Sequence, residues 1–148
     1  MSITFDEQAR VFHLQTSKTS YIIHLWREKY LMHVYWGKKI KTPDISNAVV
    51  NRVGGFTPNT DNEDYSLDYM NQEYPTGLGT DYRVPAISVV YADGSRNAKL
   101  LYEGHKIVSG KPKLEGLPAT YVEHDDEADT LYITLVDKLK GLKVVLMY

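Results

Sequence analysis

The chain is 148 residues long, 43% hydrophobic and 24% charged, with a formal net charge of -2 from 17 basic and 19 acidic side chains, an ordinary composition for a globular protein. Without a basic excess there is no electrostatic drive toward a phosphate backbone, so nucleic acid is not an expected partner, and without cysteine a disulfide scaffold or thiolate metal site is excluded. The opening Met1–Asp6 has no basic stretch ahead of an apolar one, and no apolar run approaches the roughly 18 residues of a membrane span, so the chain reads as soluble and cytoplasmic.

The length fits one domain, 1–148, able to bury a core without staples. Its first third reads as strands. Arg10–Thr16 holds Val11, Phe12 and Leu14, and Ser20–Leu25 holds Tyr21, Ile22, Ile23 and Leu25. Tyr30–Trp36 alternates Leu31, His33 and Tyr35 against Met32, Val34 and Trp36, a period of two rather than 3.6. Turn residues separate these runs at Gln15–Lys18, Arg27–Lys29 and Gly37–Lys39, which predicts hairpins.

From Thr42 to Pro85 the chain is rich in Asn, Asp, Gly, Pro and Thr, and it reads as a long loop region with one helical turn over Ser66–Met70, Ser66 being its candidate N-cap. Loops this long inside a domain are often functional. Strands return at Ala86–Tyr91, Lys99–Val108 and Asp129–Asp137, with a turn at Ala92–Ser95 between the first two. In the last of these Leu131, Ile133 and Leu135 share one face, and after Leu139-Lys140-Gly141 the residues Leu142, Val144 and Leu146 are expected to face the core. No helical pattern of ten residues appears. The expected fold is all-β, a large antiparallel β-sandwich (supersandwich) with a loop-rich middle segment. Because Val145–Tyr148 reads as the inside of an apolar strand, the chain is expected to be part of a longer one.

The residues that could carry chemistry are few. Five histidines show no HxH, HxxxH or HExxH spacing, and His13, His24 and His33 read as half-buried strand residues. Glu123–Asp129 is acidic but lacks the Asp-x-Asp-x-Asp-Gly pattern of a calcium loop and reads as a solvated turn. No metal and no cofactor is expected. Carboxylates at Asp44, Asp61, Asp64, Asp68, Glu73, Asp81 and Glu115 are too scattered to pair by sequence as an acid and a nucleophile. Twelve tyrosines against three phenylalanines suit strands and half-wet surfaces, and equally sugar sites or interfaces. The densest polar and aromatic stretch is Gln72–Pro85. There Asp81, Tyr82 and Arg83 offer a carboxylate, a ring and a guanidinium to a sugar, or form a structural loop closed by an Asp–Arg ion pair.

Glu73-Tyr74-Pro75, followed by Gly79-Thr80-Asp81-Tyr82-Arg83-x-Pro85-Ala86, resembles the N-terminal domain of bacterial α-galactosidases of glycoside hydrolase family 36. Phe12–Gln15, Ser20–Ile22, His33–Lys38 and Phe56-Thr57-Pro58-Asn59 extend the resemblance, and Gly110–Glu123 (GKPKLEGLPATYVE) is its longest and most specific part. Ala128–Leu131 and Asp137-x-Leu139 continue it. Val49–Gly55 departs from the family in carrying a single charge, Arg52. The resemblance implies a β-sandwich packed on a catalytic (β/α)8 barrel that this chain lacks. The barrel would hold an aspartate nucleophile and an aspartate acid/base for retaining hydrolysis of α-galactosides. It also implies homo-oligomers, tetramers in many members, in which the domain helps form subunit contacts and approaches a neighbouring subunit's active site. The candidate substrate-binding residues are Phe56, Asp81, Tyr82 and Arg83, with no catalytic residue in the chain. The alternatives are an independent carbohydrate-binding module and a purely structural oligomerisation domain.

Overall fold

The computed structural model describes residues 2–41, 48–52, 65–77, 81–118 and 122–148. Among these residues seven strands form two antiparallel sheets. The first is a meander of β1 (Ser2–Asp6), β2 (Val11–Gln15), β3 (Thr19–Trp26) and β4 (Tyr30–Lys38); the second joins β5 (Leu101–Ser109), β6 (Asp129–Val136) and β7 (Lys143–Met147). Only 3-10 turns, Leu67–Tyr69 and Asp125–Glu127, interrupt this β architecture among the described residues. The all-β antiparallel sandwich expected from the sequence is the fold observed.

The core lies between the sheets and follows from strand alternation. Ile3, Phe12, Leu14, Ile23, Leu25 and Leu31 face Leu100, Leu131, Ile133 and Leu135, all buried. Leu142, Val144 and Leu146 pack against this cluster, as their spacing predicts. Asp129 at the head of β6 clasps the two sheets, its Oδ2 accepting the Ile3 N–H at 3.1 Å.

The first sheet is covered on its other face as well. Val11, His13, Ile22 and Met32 are buried there, and the middle segment contributes Tyr65, Leu67 and Met70 against Tyr30 and Met32. Tyr30 and Tyr65 join hydroxyls at 2.9 Å, and the Arg27 guanidinium sits over the rings of Trp26 (4.6 Å) and Tyr65 (4.9 Å). Both-face burial explains why β2 reads as nearly continuously buried rather than alternating.

Four details differ from the sequence reading. Ser2–Asp6 is a strand, paired along its length with β2. Ala86–Tyr91 is not a strand: its burial alternates, but among the described residues no neighbour pairs with it in a ladder, and it leads instead into the turn closed by Gly94 N–H to Tyr91 O. Ser66 precedes the 3-10 turn without a side-chain capping bond. The alternation of Tyr30–Trp36 breaks after His33, because a register shift sets Val34 outside the pairing. Tyr35 then lies opposite Ile22, and Trp36 opposite Tyr21.

The turn from β6 to β7 is organised by Asp137, which is buried. Its carboxylate accepts N–H bonds from Lys99 (3.1 Å), Leu139 (3.0 Å) and Lys140 (3.2 Å), and one from the Tyr91 hydroxyl (3.2 Å). Burial alone would raise its pKa, but these donors together hold it below the ordinary 3.8.

Two predictions follow from this packing. Leu131→Ala, at a fully buried position, lowers stability by about 2–5 kcal/mol in urea unfolding, whereas Leu139→Ala, at an 87% exposed one, stays within about 0.5 kcal/mol. Because the folded pKa of Asp137 is depressed, its stabilisation is present above 3.8 and is lost as pH falls through the lower folded value. The Tm gap between the native chain and Asp137→Asn is therefore constant from pH 7 to about 5 and closes below about 4. A gap that widened on acidification would contradict this.

Candidate functional site

The stretch singled out in the sequence is positioned by a short extended strip, Asn71–Glu73, that runs along the edge of β4. His33 N–H donates to Asn71 O at 2.7 Å, Glu73 N–H donates to Leu31 O at 2.9 Å, and Gln72 bridges to Met32. Extended backbone sends successive side chains to opposite sides. Gln72 therefore points toward Asp81, and Glu73 toward the end of the inter-sheet core.

On the first side Asp81 is buried and Arg83 grips it with a fork: Nε to Oδ1 at 2.7 Å and Nη2 to Oδ2 at 3.1 Å. Gln72 Nε2 donates to Oδ2, and the Arg83 N–H donates to Oδ1 at 3.2 Å. The remaining guanidinium donors reach the carbonyls of Met70 and Leu67 at the 3-10 turn. The pair ties the loop to the middle segment, which is the ion-pair reading of this stretch. Tyr82, between the two, has its ring turned outward and 76% exposed, with Val84 and Tyr69 also exposed.

On the second side Glu73 is the centre of a cluster that no sequence spacing announces. Tyr21 Oη donates to its carboxylate, lying 2.7 and 2.8 Å from the two oxygens, and Tyr148 Oη donates to Oε1 at 2.7 Å. His33 Nδ1 lies 3.2 Å from Tyr21 Oη and 3.4 Å from Glu73 Oε2. Burial first, and then the adjacent Glu73 charge, push the pKa of both phenols upward. Both stay protonated and remain donors. The signal that could have pointed here is the tyrosine excess together with an isolated Glu in the Glu-Tyr-Pro stretch.

Beside Tyr148 opens a cavity of about 710 Å³, bounded by Thr16 and Ser17, the Lys111–Pro118 segment, the start of β6 and Met147. Its walls include Pro112, Leu114 and Pro118 alongside Lys111, Asp129 and Thr130, and Thr130 Oγ1 donates to Gly110 O at 2.6 Å. The stretch that carries the longest family-like match thus forms one wall. The acidic turn after it is exposed, and Glu123, His124 and Glu127 bring ligand-capable atoms within 4.8 Å of one another.

Of the four candidate binding residues, Asp81, Tyr82 and Arg83 are brought together, and Phe56 lies outside the described residues. Two carboxylates of the family-like loop, Asp81 and Glu73, are occupied by internal donors. Tyr82 is the group of the trio that faces solvent.

Residues 29–148 match the family model described as the glycosyl hydrolase family 36 N-terminal domain. The chain is 47% identical over its whole length to alpha-galactosidase AgaA of Geobacillus stearothermophilus, covering 21% of that protein. It is 36% identical over 99% of its length to alpha-galactosidase Mel36A of Lactobacillus acidophilus, covering 20% of that protein. Among solved structures, alpha-galactosidase AgaB of Geobacillus stearothermophilus superposes with a TM-score of 0.89 at 45% identity, over the whole of this chain and 20% of that one. A variant of AgaA in complex with raffinose superposes with a TM-score of 0.85 at 47% identity, over 93% of this chain and 20% of that one. The chain spans about a fifth of the length of the relatives it matches.

The two polar clusters make different predictions. Arg83→Ala leaves the Asp81 carboxylate buried without its charge partner and lowers stability by about 1–3 kcal/mol in chemical unfolding. Tyr82→Ala changes it by less than about 0.5 kcal/mol, because the ring is exposed. Equal effects would show that the fork does not brace the loop.

Proposed function

This chain belongs to glycoside hydrolase family 36 through its N-terminal domain, and from that premise we propose that it serves as the non-catalytic leading part of an α-galactosidase that hydrolyses terminal α-galactosides of the raffinose and melibiose type. The observation that carries this reading is the state of the carboxylates in the family-like loop. A retaining glycosidase needs one carboxylate free to attack and a second free to donate a proton. Asp81 is filled by Arg83 and Gln72, and Glu73 by two phenols, so both act as braces.

In this reading the bond-breaking groups belong to a (β/α)8 barrel elsewhere in a longer polypeptide, with 1–148 forming one β-sandwich unit of it, and this segment shapes the approach to them. Tyr82 is the residue it offers to a sugar ring. Its exposed face suits stacking on the apolar side of a galactoside, and Arg83 fixes its position without touching the substrate. The segment also supports a homo-oligomer of the full-length protein, and the protein works in the cytoplasm. No helix among the described residues is long and apolar enough to cross a membrane. An independent carbohydrate-binding module is not favoured, since the relatives matched carry this segment as a fifth of an enzyme.

The test is a chimera in which residues 1–148 replace the aligned fifth of the Geobacillus alpha-galactosidase. It should cleave a nitrophenyl α-galactoside, and Tyr82→Ala in the chimera should raise KM for raffinose several-fold while Arg83→Lys lowers Tm and leaves KM nearly unchanged. A folded chimera without activity would sink the proposal. An unchanged KM in the Tyr82 variant would remove that residue from the sugar site.

A further inference from the structure

Each phenol at Glu73 has one proton to give, and the carboxylate takes both. Tyr21 Oη lies 2.7 and 2.8 Å from its two oxygens, and Tyr148 Oη lies 2.7 Å from Oε1. Burial and the Glu73 charge raise the pKa of both phenols, so neither loses its proton. His33 Nδ1 stands 3.2 Å from Tyr21 Oη and 3.4 Å from Glu73 Oε2. Both oxygens turn lone pairs to it. The carboxylate has no proton, and the phenol's is committed to the shorter bond with a charged acceptor. A bare Nδ1 would set a third lone pair against those two. The contact is attractive only if Nδ1 carries the proton. A neutral imidazole has one N–H, so Nε2 is then a pure acceptor.

The surroundings hold that acceptor in place. The His33 backbone N–H is bonded to Asn71 O, and the ring lies beside that of Tyr21 with centroids 5.0 Å apart. The His33 side chain is 35% exposed and that of Glu73 only 8%, so the Nδ1 edge of the ring is the inward one. Nε2 reaches the surface and has no partner among the described residues. His33 borders a notch of about 40 Å³ that Val49, Val50, Tyr69 and Asn71 also line. That is room for one oxygen-sized group, since a water molecule in the liquid takes about 30 Å³. Val49 and Val50 are apolar walls, and the Asn71 amide can donate or accept. The preference of the notch for a donor therefore comes from Nε2.

We propose that Glu73 is a positioning residue: it locks His33 in the Nδ1–H tautomer, so that Nε2 presents a fixed lone pair to this notch and binds a single hydroxyl donor there. Glu73 acts through the imidazole and does not touch the hydroxyl. The proposal stands apart from the α-galactosidase reading, because it needs only the residues of the cluster and the notch.

The test is a long-range proton–nitrogen NMR spectrum of the 148-residue chain with 15N-labelled histidine, recorded at pH 8.5, the His33 signals being assigned by their loss in His33→Asn. Nδ1 should show the shift of a protonated nitrogen and Nε2 that of an unprotonated one, with an excess on the order of tenfold over the other tautomer, as a hydrogen bond to a charged group sustains. The reverse pattern, or an even mixture, would overturn the proposal. In Glu73→Gln the new amide N–H can donate to Nδ1, and the ring should change to the Nε2–H form. A folded Glu73→Gln chain that keeps the Nδ1–H form would remove Glu73 as the positioning group. Tyr21→Phe gives an independent reading: Nδ1 still faces Glu73, so the native tautomer should persist, and its loss would make Tyr21 the group that sets it. Raffinose separates the two sources of a hydroxyl. A displaced Nε2 resonance puts a sugar hydroxyl in the notch, and an unmoved one leaves water as the donor.

Discussion

A buried carboxylate must have its lone pairs filled, and the way Glu73 meets that requirement organises much of this chain. Its partners come from β3 (Tyr21) and from the residue after β7 (Tyr148), with His33 of β4 alongside. One side chain thus fastens the first sheet to the second at the end of the shared core. Unfilled, the same group would cost several kcal/mol, so the strip that presents it is as constrained as the strands it joins. Asp81 repeats the arrangement on the other side of that strip, where Arg83 ties it to the middle segment. Two acids of this stretch are thereby held in filled hydrogen bonds.

Groups that hold a fold together through filled hydrogen bonds are poor nucleophiles and poor proton donors, whereas an exposed ring on a well-braced loop is a good contact surface. The exposure of Tyr82 between the fixed residues Asp81 and Arg83 is a consequence of that bracing. In the function proposed above, such a segment shapes a binding cleft whose chemistry is supplied by another part of the enzyme.

Some of this was legible in the residues alone. The Asp129–Val136 strand could be read because Leu131, Ile133 and Leu135 alternate with polar or half-polar neighbours, and the Asp81–Arg83 pair because its members are two positions apart. Other features depend on pairing, which no local pattern encodes. Ala86–Tyr91 alternates like a strand yet has no ladder neighbour among the described residues. Val34 falls out of register only because β3 lies beside it, and that shift moves Tyr35 to the face of Ile22. The Glu73 cluster was invisible because its phenols are 52 and 75 residues away in the chain. Phe56, selected through the family resemblance, lies outside the described residues.

The central claim is that the acids of this segment brace and do not react. It is tested most directly by assaying the purified 148-residue chain on a nitrophenyl α-galactoside across pH 4–8. The account predicts no release of nitrophenol above the uncatalysed rate. Turnover that survives purification and disappears in Glu73→Gln or Asp81→Asn would contradict it.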